Sequence, residues 1–467
     1  MLKKKTFPRA PKNFWKLLGP SFLILATGIG SGEIVLWPFL ASHHGLGLIW
    51  LAVIGITFQY FINMEIERYS LVKGESVFYG LNRVFSWAPY WLIFSTFLTF
   101  AIPGTAAASA QVIGEAAGIS NFKWIGIGFL ILMAFVVSLG KTVYRTLERI
   151  MKSLLAILIP SVLILVIYVS TTQDWSALAS GFVGQGEGYS WIPTGVVLAT
   201  LFGAFAYSGS GGNLNLAQSS YVLEKGYGMG KYAPKIKSLL AHKPREKVNL
   251  EGATFEINNY SMKNFKEWWR KISLEHLIIF WGGGLLMIIL FMLLAYVTIG
   301  GGGETGEGIG FIISQGAFIS NKFFPWLGTA FLIIIGVVLF QSQLGIYDSA
   351  SRIISKNYAI KRTYTKRGKN RRVNISKIYH RVIWFQVGLG IILFLLGYTD
   401  PKALIVLAAI LNAVGMFIHV GLVNYMNHVT LRKQLQPSLG RKILMIIIFL
   451  VFGVFSVITI GQYLPFF

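Results

Sequence analysis

Apolar runs about 20 residues long, the length that spans a hydrocarbon core, recur from Leu17 to the C-terminus and leave little chain between them for anything else. In lipid every backbone N–H and C=O must be satisfied within the protein, so runs of this length can only be helices packed into a bundle. A length of 467 residues would by itself allow two or three soluble domains, but 54% apolar content overrules that division. The chain reads as an all-α integral membrane protein with about eleven transmembrane helices. These fall near 17–41, 46–68, 90–116, 123–140, 153–171, 192–218, 275–299, 325–350, 381–398, 403–426 and 443–463. They are spans one to eleven below.

The basic residues support that count. A net charge of +24 would point a soluble protein toward nucleic acid, whereas here Lys and Arg fall between spans, where they set topology, and no nucleic-acid partner is expected. Lys3, Lys4, Lys5, Arg9, Lys12 and Lys16 precede span one; Arg68, Lys73 and Arg83 follow span two; further basic loops run from Lys225 to Lys271 and from Arg352 to Arg381. The alternate loops are poor in positive charge, with none in 172–191. This alternation predicts a cytoplasmic N-terminus and an external C-terminus, in a membrane expected to be a prokaryotic plasma membrane. The opening "MLKKKTFPRAPK" looks like the start of a signal peptide, but the run after it is too long and leads into another span, so it is read as a transmembrane helix. Within the long loop 225–272, "FKEWWRKISLEH" has the Trp and basic content of a segment lying on the membrane surface.

Two spans carry glycine clusters: "TGIGSGE" in the first and "FGAFAYSGSGGNLNLAQSS", residues 202–220, in the sixth. Glycine costs about 1 kcal/mol against alanine in a helix, although membrane helices also use it for close packing. The polar string Ser208, Gly209, Ser210, Gly211, Gly212, Asn213 and Asn215 favours unwinding over a packing seam. Unwound backbone at membrane depth requires protein or a water-filled cavity around it. Spans one and six lie five apart, the register of a five-plus-five inverted repeat with the first helix of each half broken and the substrate between the breaks. The corresponding division is a basic tail at 1–16, a first repeat at 17–171, a second at 192–398 with the long loop 225–272, and two terminal helices at 403–467.

The order of motifs resembles the Nramp divalent-metal transporters, which have the LeuT-like fold. "LLGPSFLILATGIGSGE" and "GLGLIWLAVIGITFQYFINMEIERYSLVKGES" are similar to that family's opening two spans, and "AQVIGEAAG", "GKTVYRTLERIMKSLLAIL", "GGNLNLAQS" and "FQSQLGIYDSASRII" follow in family order. The resemblance runs over roughly the whole chain, but the signature positions depart from it. Gly30-Ser31-Gly32-Glu33 stands where the family has Asp-Pro-Gly-Asn, and Ser210-Gly211-Gly212-Asn213 where it has Met-Pro-His-Asn. Two family carboxylates in span three fall on Ala108 and Gln111. The thioether that favours transition metals is therefore missing.

Glu33 is the leading candidate, because an ionisable residue near mid-bilayer is costly and by default faces a partner or a cavity. Capping the outer half-helix that follows Gly32 is its alternative role. Around it the expected substrate-binding groups are Gly30, Ser31, Gly32, Ser208, Gly209, Ser210, Asn213 and Gln341, with Glu33, Ser210 and Asn213 as candidate metal ligands. Such oxygen donors suit a hard cation such as Mg²⁺ or Mn²⁺. Alternatively, "GIGSG" resembles the broken first helix of amino-acid transporters, where half-helix amides hold a carboxylate and Glu33 would meet an ammonium group. A non-transporting receptor on the same fold is a further alternative. Gln111, Glu115, Asp348 and Asn412 are weaker candidates for a pathway, Asp348 with Arg352 at i,i+4 having the spacing of a helix ion pair. Gln59, Glu65 and Glu67 lie in span two, with Glu65 or Glu67 within reach of Arg68. His419 in span ten is explained equally by interhelical hydrogen bonding, and adjacent His43 and His44 lack metal-site spacing. No phosphate-binding glycine loop and no HExxH motif occurs, so neither ATP-driven pumping nor enzymatic catalysis is expected, and no cofactor is called for. Zero cysteines exclude thiolate chemistry.

Overall fold

A computed structural model describes residues 3–138, 143–233, 252–300, 308–364 and 373–463. Among these, nine helices are long and apolar enough to cross a membrane. With the shorter apolar helix Lys123–Ser138 and the interrupted pair Leu198–Ala206 and Gln218–Lys225, all eleven expected spans are present. The chain is a multi-pass integral membrane protein.

The helices outrun the hydropathy pattern on the face that carries the N-terminal tail, called here the tail face. Span five runs Val143–Val169 and so begins about ten residues before its apolar run. Span eight continues to Tyr364. Span seven is joined without interruption to the segment before it, giving one helical stretch Asn259–Ile299 that passes through a π turn at Leu277–Gly282. Water satisfies polar side chains there, so helices persist through sequence whose average hydropathy is low. Loop 172–191 forms a helix, Thr172–Gly181, and a two-residue hairpin that docks on the end of span one through Tyr189 Oη donating to the His44 carbonyl at 2.8 Å.

The segment "FKEWWRKISLEH" corrects its sequence reading. It lies in the helix Asn259–His276, and the N-terminal tail, not lipid, covers its buried face. Lys3–Lys4 pair in parallel with Ala253–Thr254, and Phe7 is buried against Phe255 and Phe265. Asn264 Nδ2, Trp268 Nε1 and Lys271 Nζ donate to the carbonyls of Phe7, Pro8 and Pro11 at 3.3, 3.0 and 2.6 Å. Trp269 lies under the guanidinium groups of Arg68 and Arg441. Its aromatics serve tertiary packing because the tail supplies carbonyl acceptors that a bilayer surface would not hold in place.

Span eight lies along spans three and nine and against the first half of span one. That arrangement brings Gln341, Ser342 and Gln343 to the level of the glycine clusters.

Candidate functional site at the paired helix breaks

Span one is helical over Pro20–Gly28, leaves the helix at Ile29 and Gly30, and resumes as a π turn at Ser31–Leu36 leading into Trp37–His44. Unwinding is thus shorter than the glycine cluster, and Ser31 to Glu33 belong to a helical turn. Span six stops at Ala206; Tyr207 to Gly211 lie outside regular structure, and a 3₁₀ turn at Gly212–Ala217 leads into Gln218–Lys225. Gly209, Gly211 and Gly212 have φ of 118°, 66° and 55°, a backbone that side chains resist and glycine adopts freely.

The glycines pack as well as bend. A β-carbon at Gly28 would lie 2.6 Å from the Gly209 carbonyl carbon, and one at Gly32 would overlap the Tyr207 carbonyl oxygen. The two breaks therefore touch backbone to backbone. Unwinding and close packing are both present here.

Neutral side chains from neighbouring spans satisfy the freed backbone of span six. Gln59 donates Nε2 to the Ala206 carbonyl at 2.8 Å and accepts the Gly211 N–H at 3.0 Å, replacing bonds that the helix gave up. Trp37 Nε1 donates to Ser208 Oγ at 3.0 Å, and Ser208 donates to Ala204 at 3.1 Å. Ser210 donates to Asn215 Oδ1 at 2.6 Å, and Asn213 Nδ2 to Ser95 and Thr96 at 2.7 and 3.1 Å. Asn412 Nδ2 donates to the Tyr207 hydroxyl. Across span one, Ser342 Oγ donates to the Thr27 carbonyl at 2.9 Å. Trp37 and Ser342 were not singled out by sequence, and Gln59 was noted only as a polar residue of span two, since such a residue in an apolar span carries no sign of which backbone it will meet.

Glu33 is different. It is 0% exposed, and neither carboxylate oxygen has a hydrogen-bonding side chain. It sits where the two breaks meet, Gly28 and Gly32 lying against Gly209 and Tyr207. Gln341 is also buried with both amide atoms unpartnered, and the Asn213 carbonyl oxygen is free. Ser31 is buried beside Glu33 in the π turn. Gln111 is half-buried on span three, while Glu115 is exposed near the end of that helix. Among the described residues no three His, Cys, Asp or Glu side chains gather to hold a metal ion.

The other buried acids lie toward the tail face and are engaged. Arg352 Nε binds both Asp348 oxygens at 2.9 and 2.8 Å and its Nη1 pairs with Glu224, while Tyr221 and Tyr379 donate to Asp348 at 2.8 and 2.5 Å. Glu65 takes Arg68 at 2.8 Å and Arg441 at 3.0 Å. Glu67 instead accepts from Gln218 at 2.7 Å and lies 3.4 Å from His276, whose Nδ1 is 2.8 Å from Ser21; Ser21 in turn donates to Glu275. Glu275, His276 and Ser21 escaped the sequence reading, because the apolar run of span seven hides an acid and a histidine at its start.

The fold is the LeuT-like five-plus-five arrangement of secondary transporters, with the first and sixth spans broken. Two crystal structures of a manganese transporter from Eremococcus coleocola share it. One, of a single-site mutant, superposes with a TM-score of 0.69 at 13% identity, over 99% of this chain and 90% of that chain. The other, in complex with an aromatic bis-isothiourea compound, gives 0.66 at 13% identity over the same shares. The nucleobase-cation-symport-1 family transporter Mhp1, in a closed conformation with bromovinylhydantoin bound, gives 0.58 at 9% identity, over 98% of this chain and 96% of that one. At such identities the likeness is one of fold. No family model and no curated protein sequence matches the chain.

Proposed function

We propose that this chain is a secondary transporter that moves a small cation by alternating access around the paired breaks. The observation that carries the reading is Glu33: a fully buried carboxylate without a side-chain donor, set between two helix interruptions whose other polar groups are mostly spoken for. A buried charge of this kind is costly unless a counter-charge visits it. Sharing its fold with a manganese transporter supports a divalent substrate, and oxygen donors favour Mg²⁺ or Mn²⁺, which can keep part of their water shell. The residues we assign to substrate are Gly30, Ser31, Gly32, Glu33, Ser208, Gly209, Ser210, Asn213 and Gln341. Ser208 and Ser210 donate their hydroxyl hydrogens within span six, which leaves the Ser210 oxygen lone pairs available to a cation. The repeats are taken as 17–171 and 192–398, and the tail face as cytoplasmic, with the basic loops on it.

One observation favours a second substrate class. A single free carboxylate, with no gathering of acids or histidines among the described residues, equally fits one ammonium group of an amino acid or small organic cation. Proteoliposome uptake of Mg²⁺, Mn²⁺, Ca²⁺ and amino acids, with and without a pH gradient, separates the two. Saturable uptake of a divalent cation, falling about a hundredfold in Glu33→Gln, is the expected result, equivalent to roughly 3 kcal/mol. Amino-acid uptake without metal flux replaces the metal reading by the second, and uptake indifferent to Glu33 removes the site assignment.

A further inference from the structure

A second concavity lies on the tail face, away from the breaks. Its volume is about 500 Å³, within the range of small-molecule sites, and its walls come from the N-terminal tail, the end of span six, the turn Gly228–Tyr232 and the start of the helix that leads into span seven. Four cations line it: Arg9, Lys16, Lys225 and Lys231. No acid does. Lys225 is paired with Glu148 at 2.8 Å. Among the described residues Arg9, Lys16 and Lys231 have no carboxylate partner; Arg9 donates only to the Tyr260 hydroxyl at 3.2 Å and rests over that ring.

Topology signals alone ask for basic residues on this face, but not for a walled cavity that collects them. Tyrosines build the walls without neutralising the charge: Tyr232 Oη donates to the Thr6 carbonyl at 2.9 Å and Tyr227 Oη to Leu17, fixing the tail across the opening. Like charges held around one concavity repel each other and concentrate anions there. An arginine held at one wall offers paired N–H donors, and lysines offer point charges, the combination that recognises phosphate oxygens.

We propose that this cavity binds a phosphate-bearing anion, either a soluble phosphorylated metabolite or the headgroup of an anionic lipid, and so braces the tail against the tail-face ends of spans six and seven. The inference does not depend on what the breaks carry.

The full chain in neutral phosphatidylcholine nanodiscs, titrated with ATP as a soluble polyphosphate, tests it. Saturable binding that weakens about tenfold or more in a Lys16→Ala, Lys231→Ala double variant is expected, with an unchanged melting temperature in the absence of ATP. Both lysines are exposed, so folding should survive; Arg9→Gln is the independent second variant, read the same way. In nanodiscs containing phosphatidylglycerol, native mass spectrometry reads the lipid arm. A retained phosphatidylglycerol adduct that the double variant loses assigns the headgroup as the source when ATP does not bind. If neither probe binds, or both bind wild type and variants equally, the proposal is overturned.

Discussion

Glu33 and Asp348 are both fully buried acids in this bundle, and they sit in opposite surroundings. Asp348 receives Arg352, Tyr221 and Tyr379, and Arg352 in turn reaches Glu224, so both Asp348 oxygens are paired within the chain, while Arg352 Nη2 and Glu224 Oε2 are left over at the edge of the network. Neither oxygen of Glu33 has a hydrogen-bond partner. The difference separates a residue paired within the fold from one that the fold leaves unpartnered. A carboxylate paired on both oxygens stabilises one arrangement, whereas an unpartnered one gains from whatever cation can reach it.

Substituting the centre of the Asp348 network is the strongest way to break that comparison. Arg352→Met would strand Asp348 and Glu224 without counter-charge, and loss of one partner from a buried pair costs about 3–5 kcal/mol. Thermal unfolding in detergent should show a large fall in melting temperature for Arg352→Met and none for Glu33→Gln, which replaces an unpartnered carboxyl group by an amide of the same size. Equal destabilisation by the two would mean that Glu33 is structural as well.

Between these extremes stands Gln59, neutral but doubly engaged at the break in span six. Gln59→Leu leaves the Ala206 carbonyl and the Gly211 amide unpaired in a buried place, each costing about 1–3 kcal/mol. Stability should fall by somewhat less than in Arg352→Met, and amide exchange should rise locally at 207–211. Exchange that rises uniformly along the chain instead would show that Gln59 supports the bundle and not the break.

The spans and the two interruptions were legible in sequence because lipid imposes both rules: a minimum apolar length, and backbone satisfaction that only special residues can forgo. The i,i+4 spacing of Asp348 and Arg352 was legible for the same reason, being local to one helix. The partners of Glu224, Gln59 and Trp37 were not, since each acts on an element more than a hundred residues away in the chain. Helix persistence at Val143 and Asn259 was hidden by hydropathy, which registers lipid contact and is blind to helices that continue into water. The π turn that carries Ser31 and Glu33 leaves no composition mark at all.

The smallest effect is expected where the tail face shares its work among many contacts. Trp268→Phe keeps the ring buried and removes one indole N–H bond to Pro8, a net loss of about 0.5–1.5 kcal/mol in tail docking. Asn264, Lys271, the Phe7 cluster and the short Lys3–Lys4 strand remain, so the melting temperature should stay within error while limited proteolysis cuts the tail several-fold faster. Phe7→Ala provides the contrast, because it empties the one buried aromatic of the tail and should release the segment outright. If the two variants are cleaved alike, the hydrogen bond and not the aromatic cluster anchors the tail, and the redundancy argued for this face fails where Arg352 has shown it least.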